Sequence, residues 1–235
     1  MSVRGRLEQL AGRHGLAPEV VGALERLLDL VHADPTAPTT VRDPAAAVDA
    51  HVADALVALE LDRVRGARRI ADLGAGAGFP GLVLAAALPE ADVALVEATG
   101  RKCAFLERAA EAMGLANVEI VNARAESWPE GIGSRDLVTA RAVAPLAVLV
   151  EYAAPLLALD GALVAWKGRR DGEEECYAAA AAAATGLDVV EVRPAEPWIG
   201  AEHLHLHVYV KVASTPNRFP RRPGMASKRP LRAST

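Results

Sequence analysis

From residue 68 onward, short apolar runs alternate with longer stretches of mixed polarity. The runs at 69–73, 92–97, 118–121, 136–140 and 162–166 have the length of buried strands. Between them, stretches at about 80–88, 100–113 and 146–158 predict helices. Strands separated by helices imply an α/β doubly wound parallel sheet with right-handed crossovers. A further helix is expected from Asp171 to Ala184, opened by Glu173, Glu174 and Glu175 and stopped by Thr185-Gly186. Acids at that end complement the positive pole of a helix, and alanine is the best helix former. Two last strands, about 187–193 and 204–211, are joined by a proline-containing link, Pro194 to Glu202, too short for a crossover helix. That favours an antiparallel pair at the sheet edge.

The preceding segment, 1–66, reads as a helical subdomain. Val20, Val21, Leu24, Leu27, Leu28 and Val31 recur at helical spacing after Pro18, a residue suited to a first turn. Asp34 to Pro38 ends that helix. Asp43-Pro44 looks like an N-cap and first-turn proline for a helix over about 44–60. His51 and Asp54 lie on one face of it. An intrahelical contact between them is favoured over a gate near a ligand. Residues 67–213 form the main domain and 214–235 a tail rich in proline and arginine, without the apolar periodicity to fold alone.

Charge sharpens this division. The net charge is −4, yet Lys211 to Thr235 holds seven Lys/Arg and no Asp/Glu, which leaves −11 on the rest of the chain. An acidic body with a basic tail suggests a polyanion partner for the tail, the alternative being a solvated terminus. Two distant cysteines and no metal-like spacing suit a reducing cytosol, so a cytoplasmic location is expected. Arg4, Arg6 and Glu8 interrupt any leader-like apolar run, and no stretch is long and apolar enough to suggest a membrane helix.

Candidate chemistry begins at Asp72-Leu73-Gly74-Ala75-Gly76-Ala77-Gly78-Phe79-Pro80-Gly81. A strand ends in an acid, a glycine-dense turn and a helix start, whose amides face whatever sits in the loop. Phe79 stands where the dinucleotide fingerprint needs its third glycine, which counts against a nicotinamide dehydrogenase. The D-x-G-x-G-x-G pattern instead resembles the first motif of S-adenosylmethionine-dependent methyltransferases. In open α/β sheets ligands bind at the carboxyl ends of strands. Glu97 ends the second strand, 23 residues after Gly74, near the spacing at which an acid meets ribose hydroxyls. The third strand leads to Ala125 and Glu126, candidates for adenine contacts. The fourth leads to Arg141, which either grips a carboxylate, phosphate or base edge through its fork of donors or pairs with a helix. Lys167 ends the fifth and meets RNA phosphate or caps a turn. In the tail, Arg221, Arg222, Lys228 and Arg229 are candidate phosphate contacts. Arg63, Arg65, Arg68 and Arg69 form another basic cluster. His203, His205 and His207 share one strand face, read as exposed rather than metal-binding. Cys103 is read as buried helix packing rather than a nucleophile.

Taken together, Asp43-Pro44, His51, Asp54, Asp72 to Gly81, Arg124-Ala125-Glu126, Arg141-Ala142-Val143-Ala144-Pro145, Lys167-Gly168 and Pro220 to Gly224 resemble the bacterial small-subunit ribosomal RNA guanine-nitrogen-7 methyltransferases. Thr39-Thr40-Val41 and Ala55 depart from the family pattern. The resemblance implies a Rossmann-like class I methyltransferase fold: a seven-stranded, mostly parallel sheet with an antiparallel last strand, plus N-terminal helices. It implies S-adenosylmethionine as cofactor, held through Gly74, Phe79, Ala125, Glu126 and Arg141; the glycine-loop and strand-end readings add Asp72, Gly76, Gly78 and Glu97 as cofactor-binding candidates, and Arg141 is also the catalytic candidate because its loop would border the methyl group. It implies methylation of one guanine in the decoding-region loop of 16S rRNA, free or in a small-subunit assembly intermediate. No metal is expected, and the chain is expected to be monomeric. A small-molecule methyltransferase and a non-catalytic RNA-binding module are the alternatives.

Overall fold

The structure is a computed structural model that describes residues 1–232; the last three residues of the predicted tail, Ala233-Ser234-Thr235, lie outside the described residues. Seven strands form one sheet: β1 Arg69–Leu73, β2 Asp92–Val96, β3 Val118–Val121, β4 Arg135–Arg141, β5 Leu157–Lys167, β6 Leu187–Ala195 and β7 Leu204–Lys211. Their order is β3-β2-β1-β4-β5-β7-β6. β1 to β5 are parallel neighbours, whereas β7 runs antiparallel to both β5 and β6. Thus β7 alone is reversed, inserted between two strands that precede it. This is the class I S-adenosylmethionine methyltransferase fold. Burial follows position: four of the five β1 residues are buried, because layers cover both faces of this central strand.

Helices α1 Val3–His14, α2 Pro18–Ala33, α3 Pro44–Ala47, α4 Asp54–Leu56 and α5 Asp62–Arg65 precede the sheet. Between the strands lie α6 Gly81–Ala87, α7 Gly100–Met113, α8 Leu146–Ala153 and α9 Gly172–Thr185, and α10 Met225–Lys228 follows β7. One core joins Leu7, Leu24, Leu28 and Leu56 to Ile70, Leu82, Phe105 and Val164. The N-terminal helices therefore pack against the sheet in the same apolar layer as α6 and α7. A second core lies on the other face, where α8 and α9 cover Ala71, Val138, Leu163 and Tyr209.

Local signals act where expected. Asp43 caps α3 by accepting from the Ala46 amide at 2.9 Å, and Asp171 caps α9 by accepting from Glu173 and Glu174. The predicted helix over 44–60 is broken, however. Between α3 and α4 the chain widens into a π-helical turn, Val48–Ala53, and a 3₁₀ turn, Val57–Glu60, closes the segment. His51 and Asp54 do not meet each other; both reach across to the sheet, as described below.

One surface expectation changes. The three histidines do not form one exposed strand face: His203 precedes β7 and is exposed, His205 is half-buried, and His207 is only 1 % exposed, on the same face as Tyr209, which α8 and α9 cover. The Arg63–Arg69 cluster sits at the amino end of β1, opposite the strand ends that carry the candidate site. There Arg63 donates to the Asp160 carbonyl and Arg65 to that of His14. Cys103 is buried, and its Sγ donates to the Glu97 carbonyl. No described helix is long and apolar enough to cross a membrane.

The tail does fold, against the body. Phe219 and Ala226 are buried. Arg221 makes a two-pronged ion pair with Glu151 on α8, its Nε donating to Oε1 at 2.6 Å. At the tail's base, buried Lys211 donates to the Ala154 carbonyl and the Thr215 hydroxyl.

Candidate active site

Register places the site. Leu73 is level with Val96 on one side and Ala140 on the other. The next residues of three strands, Gly74, Glu97 and Arg141, therefore emerge together at their carboxyl ends. The sheet order reverses between β1 and β4, and crevices form at such reversals. A cavity of about 360 Å³ opens here, lined by Gly74, Glu97, Lys102, Ala125, Glu126, Val143, Tyr152 and Ser227 among others. Beside it a hollow of about 200 Å³ is lined by Thr39, His51, Gly74, Gly76, Phe79 and Arg141. Ala142, at φ 56°, borders both, as well as a third hollow bounded by Asp54, Trp166 and Lys167.

The glycine loop is shaped by its neighbours. A Cβ on Gly74 would lie 2.8 Å from Val143 Cγ2, so the bare backbone lets the β4–α8 loop cross over it. Gly76, at φ 57°, turns its amide toward Glu97 Oε2 at 3.3 Å. Glu97 is 5 % exposed; its other oxygen accepts from the Thr99 amide, and Lys102 Nζ stands 3.6 Å away.

Asp72 does not line the cavity. It is 1 % exposed and lies beneath the loop. Pairing of Asp72 with Thr139 across β1 and β4 brings the Thr139 hydroxyl to Oδ1 at 2.8 Å, while Oδ2 accepts from the Gly81 amide at 3.0 Å. The acid ties the loop to the start of α6. Burial raises its pKa from 3.8 to about 7, against the opposing pull of these two donors and Arg141. Gly78 likewise supports from behind; a Cβ there would strike Leu82.

Arg141 adopts the helix-pairing alternative. Its Nη1 donates to Asp54 Oδ2 at 2.6 Å and to the Ala50 carbonyl at 3.0 Å. Its guanidinium also lies 5.6 Å from the Phe79 ring centre, and His51 stacks on the same ring at 4.4 Å. His51 Nε2 contacts Thr39 Oγ1 and the Val41 carbonyl. Burial raises the Asp54 pKa and lowers that of His51; the Arg141 charge opposes the first shift and reinforces the second. Trp166 Nε1 fixes this turn by donating to the Asp54 carbonyl.

Other expected cations are placed differently. Lys167 pairs with Glu174 at 2.7 Å, an acid that also accepts from the Leu146 amide. Arg221 is turned inward to Glu151 rather than outward to solvent. Arg222, Lys228 and Arg229 are exposed. Glu126 lines the cavity and accepts from the Gly224 amide at 2.8 Å. Tyr152, Ser227, Val143 and Lys102 were not anticipated. Lys102, one position before Cys103 in the first turn of the helix after β2, was open to discovery from its spacing; Ser227 was not, because only docking of the tail brings it here. No described group of His, Cys, Asp and Glu is arranged to hold a metal.

The donor set fits S-adenosylmethionine: an almost buried carboxylate at the end of β2, backbone at Ala125 and a glycine cradle converge on one cavity. Residues 30–197 match the family described as GidB, rRNA small subunit methyltransferase G. A ribosomal RNA small subunit methyltransferase G from Rubrobacter xylanophilus is 42% identical over 81% of this chain and 76% of its own. That of Chloroflexus aggregans is 41% identical over 82% of each. Among solved structures, a SAM-dependent methyltransferase from Aquifex aeolicus superposes with a TM-score of 0.57 at 16% identity, covering 76% of this chain and 99% of its own. Shared sequence over four-fifths of its length makes this chain a member of the rRNA small subunit methyltransferase G family, an S-adenosylmethionine-dependent rRNA methyltransferase.

Proposed function

We propose that the enzyme methylates nitrogen-7 of a single guanine in the decoding-region loop of 16S rRNA. When bound, S-adenosylmethionine supplies a methyl group on a positively charged sulfur. Glu97 would accept from the ribose hydroxyls, a diol that suits a carboxylate's two oxygens. Ala125 and Glu126 would meet the adenine edge, and Gly74 and Gly76 leave room for close approach of the backbone.

The observation that carries the nitrogen-7 reading is the state of the acid–base side chains around the acceptor-side hollows. Asp54 is held by Arg141, Glu174 by Lys167, and His51 by Thr39 and backbone carbonyls. An exocyclic amine would need a group to take its proton. Nitrogen-7 already carries an in-plane lone pair and needs none. Positioning is then the enzyme's main tool, with reacting atoms held about 3–3.5 Å apart and in line. The Phe79–His51–Arg141–Asp54 cluster supplies a rigid wall for that purpose, and the exposed tail cations supply phosphate contacts.

The test is incubation with methyl-labelled cofactor and either naked 16S rRNA or assembly intermediates, followed by nucleoside analysis. Label is expected in 7-methylguanosine at one site. Its absence in every assembly state would overturn the proposal, and label in a small molecule instead would favour the alternative enzyme class.

A further inference from the structure

The tail is more than an RNA-binding appendage. Ser227, at the exposed end of α10, lines the same cavity as Glu97 and Glu126. Its hydroxyl lies 3.1 Å from that of Tyr152, which lines the cavity from α8. The Gly224 amide binds the Glu126 carboxylate at 2.8 Å. Three further attachments hold this segment down: buried Phe219, buried Ala226 and the Arg221 pair with Glu151. The inner side of the tail is thus one wall of the cofactor cavity. Its outer side carries Arg222, Lys228 and Arg229, exposed and, among the described residues, without an ion-pair partner.

We infer that the docked tail couples the two ligands: RNA phosphate on its outer side and S-adenosylmethionine on its inner side each favour the docked state, so each tightens the other's binding. This rests on an RNA substrate, as proposed above. A ligand that contacts only the docked form must shift the tail toward it, and linkage makes the effect reciprocal. Glu126 is a positioning residue in this scheme. The Gly224 amide fixes its carboxylate, so release of the tail would free the side chain that bounds the adenine end.

The test uses the full wild-type chain and S-adenosylhomocysteine, the unreactive demethylated product. Trypsin has cleavable bonds after Arg221 and Lys228, whereas those after Arg222 and Arg229 precede proline and resist. Saturating S-adenosylhomocysteine is expected to slow cleavage after Arg221 and Lys228 about tenfold, within the usual range of coupling. Equal rates with and without it overturn the inference. Calorimetry with a 16S rRNA fragment should show the RNA tightening S-adenosylhomocysteine by the same factor that S-adenosylhomocysteine tightens the RNA; independent affinities also overturn it. A methylation assay run alongside separates the two ideas. Protection without 7-methylguanosine leaves the coupling standing and removes the proposed reaction, whereas 7-methylguanosine without protection removes only the coupling.

Discussion

Replacing Asp72 by Asn should remove a pH dependence from stability. Asp72 is 1 % exposed, and its pKa in the folded chain is about 7 against an ordinary 3.8. Between those values the folded chain holds a proton that the unfolded chain has released, so stability falls as pH rises. Each pH unit in that interval costs about 1.4 kcal/mol. From pH 5 to pH 8 the wild type should therefore lose on the order of 3 kcal/mol through this group alone. Asn keeps the geometry: its oxygen can accept from the Gly81 amide and its NH₂ can donate to Thr139 Oγ1. Other titrating groups contribute equally to both proteins and cancel in the comparison. Urea unfolding at pH 5 and pH 8, followed by circular dichroism, gives the difference. Asp72→Asn should gain on the wild type by about 3 kcal/mol as pH rises between the two. A gap that stays constant would refute the claim that this carboxyl is protonated beneath the loop.

Three other outcomes follow from the geometry. Gly81→Ala should destabilise the chain by about 1–3 kcal/mol, because its Cβ would lie 2.3 Å from Leu95 Cδ2 and 2.7 Å from Asp72 Oδ2; thermal unfolding reads this. Arg141→Ala should cut methylation at least tenfold and destabilise by about 3 kcal/mol, since Asp54, 7 % exposed, is left as an unpaired buried charge; the double variant Arg141→Ala/Asp54→Asn should recover stability but not rate, as separate unfolding and methylation measurements would show. Neutralising Arg222, Lys228 and Arg229 together to Gln should lower the slope of log affinity against log salt by about 2 in filter binding to 16S rRNA, at somewhat under one counterion per phosphate contact.

The alternation of strands and helices was legible because each element carries its own period. The runs at 69–73 and 118–121 and the helix at 100–113 have the bounds observed. So was the glycine turn, whose register follows from the strand before it. What escaped is set by contacts between distant residues. The π-helical turn at Val48–Ala53 has no local breaker; it accommodates His51 against Phe79 and Asp54 against Arg141, both from beyond the helix. Asp72, next to last in β1, reads as a ligand-facing acid, whereas its bonds from the Thr139 hydroxyl and the Gly81 amide hold it beneath the loop. The tail reads as unable to fold alone because it lacks periodicity, and where it would dock was not legible. It docks on the body through two apolar side chains, the hydrogen bonds of Gly224 and Ser227 and one ion pair, whose partner Glu151 lies 70 residues earlier. His207 looked exposed because alternation does not reveal which strand face a distant helix will cover.

The reversed strand also bears on how the protein is made. Because β7 separates β5 from β6, β6 has no parallel partner to dock on when it leaves the ribosome. The hydrogen-bonding edge of β5 stays open until the chain has been synthesised through residue 211, and an open strand edge templates pairing with other chains. A message truncated before residue 204 should yield an aggregating product rather than a smaller enzyme.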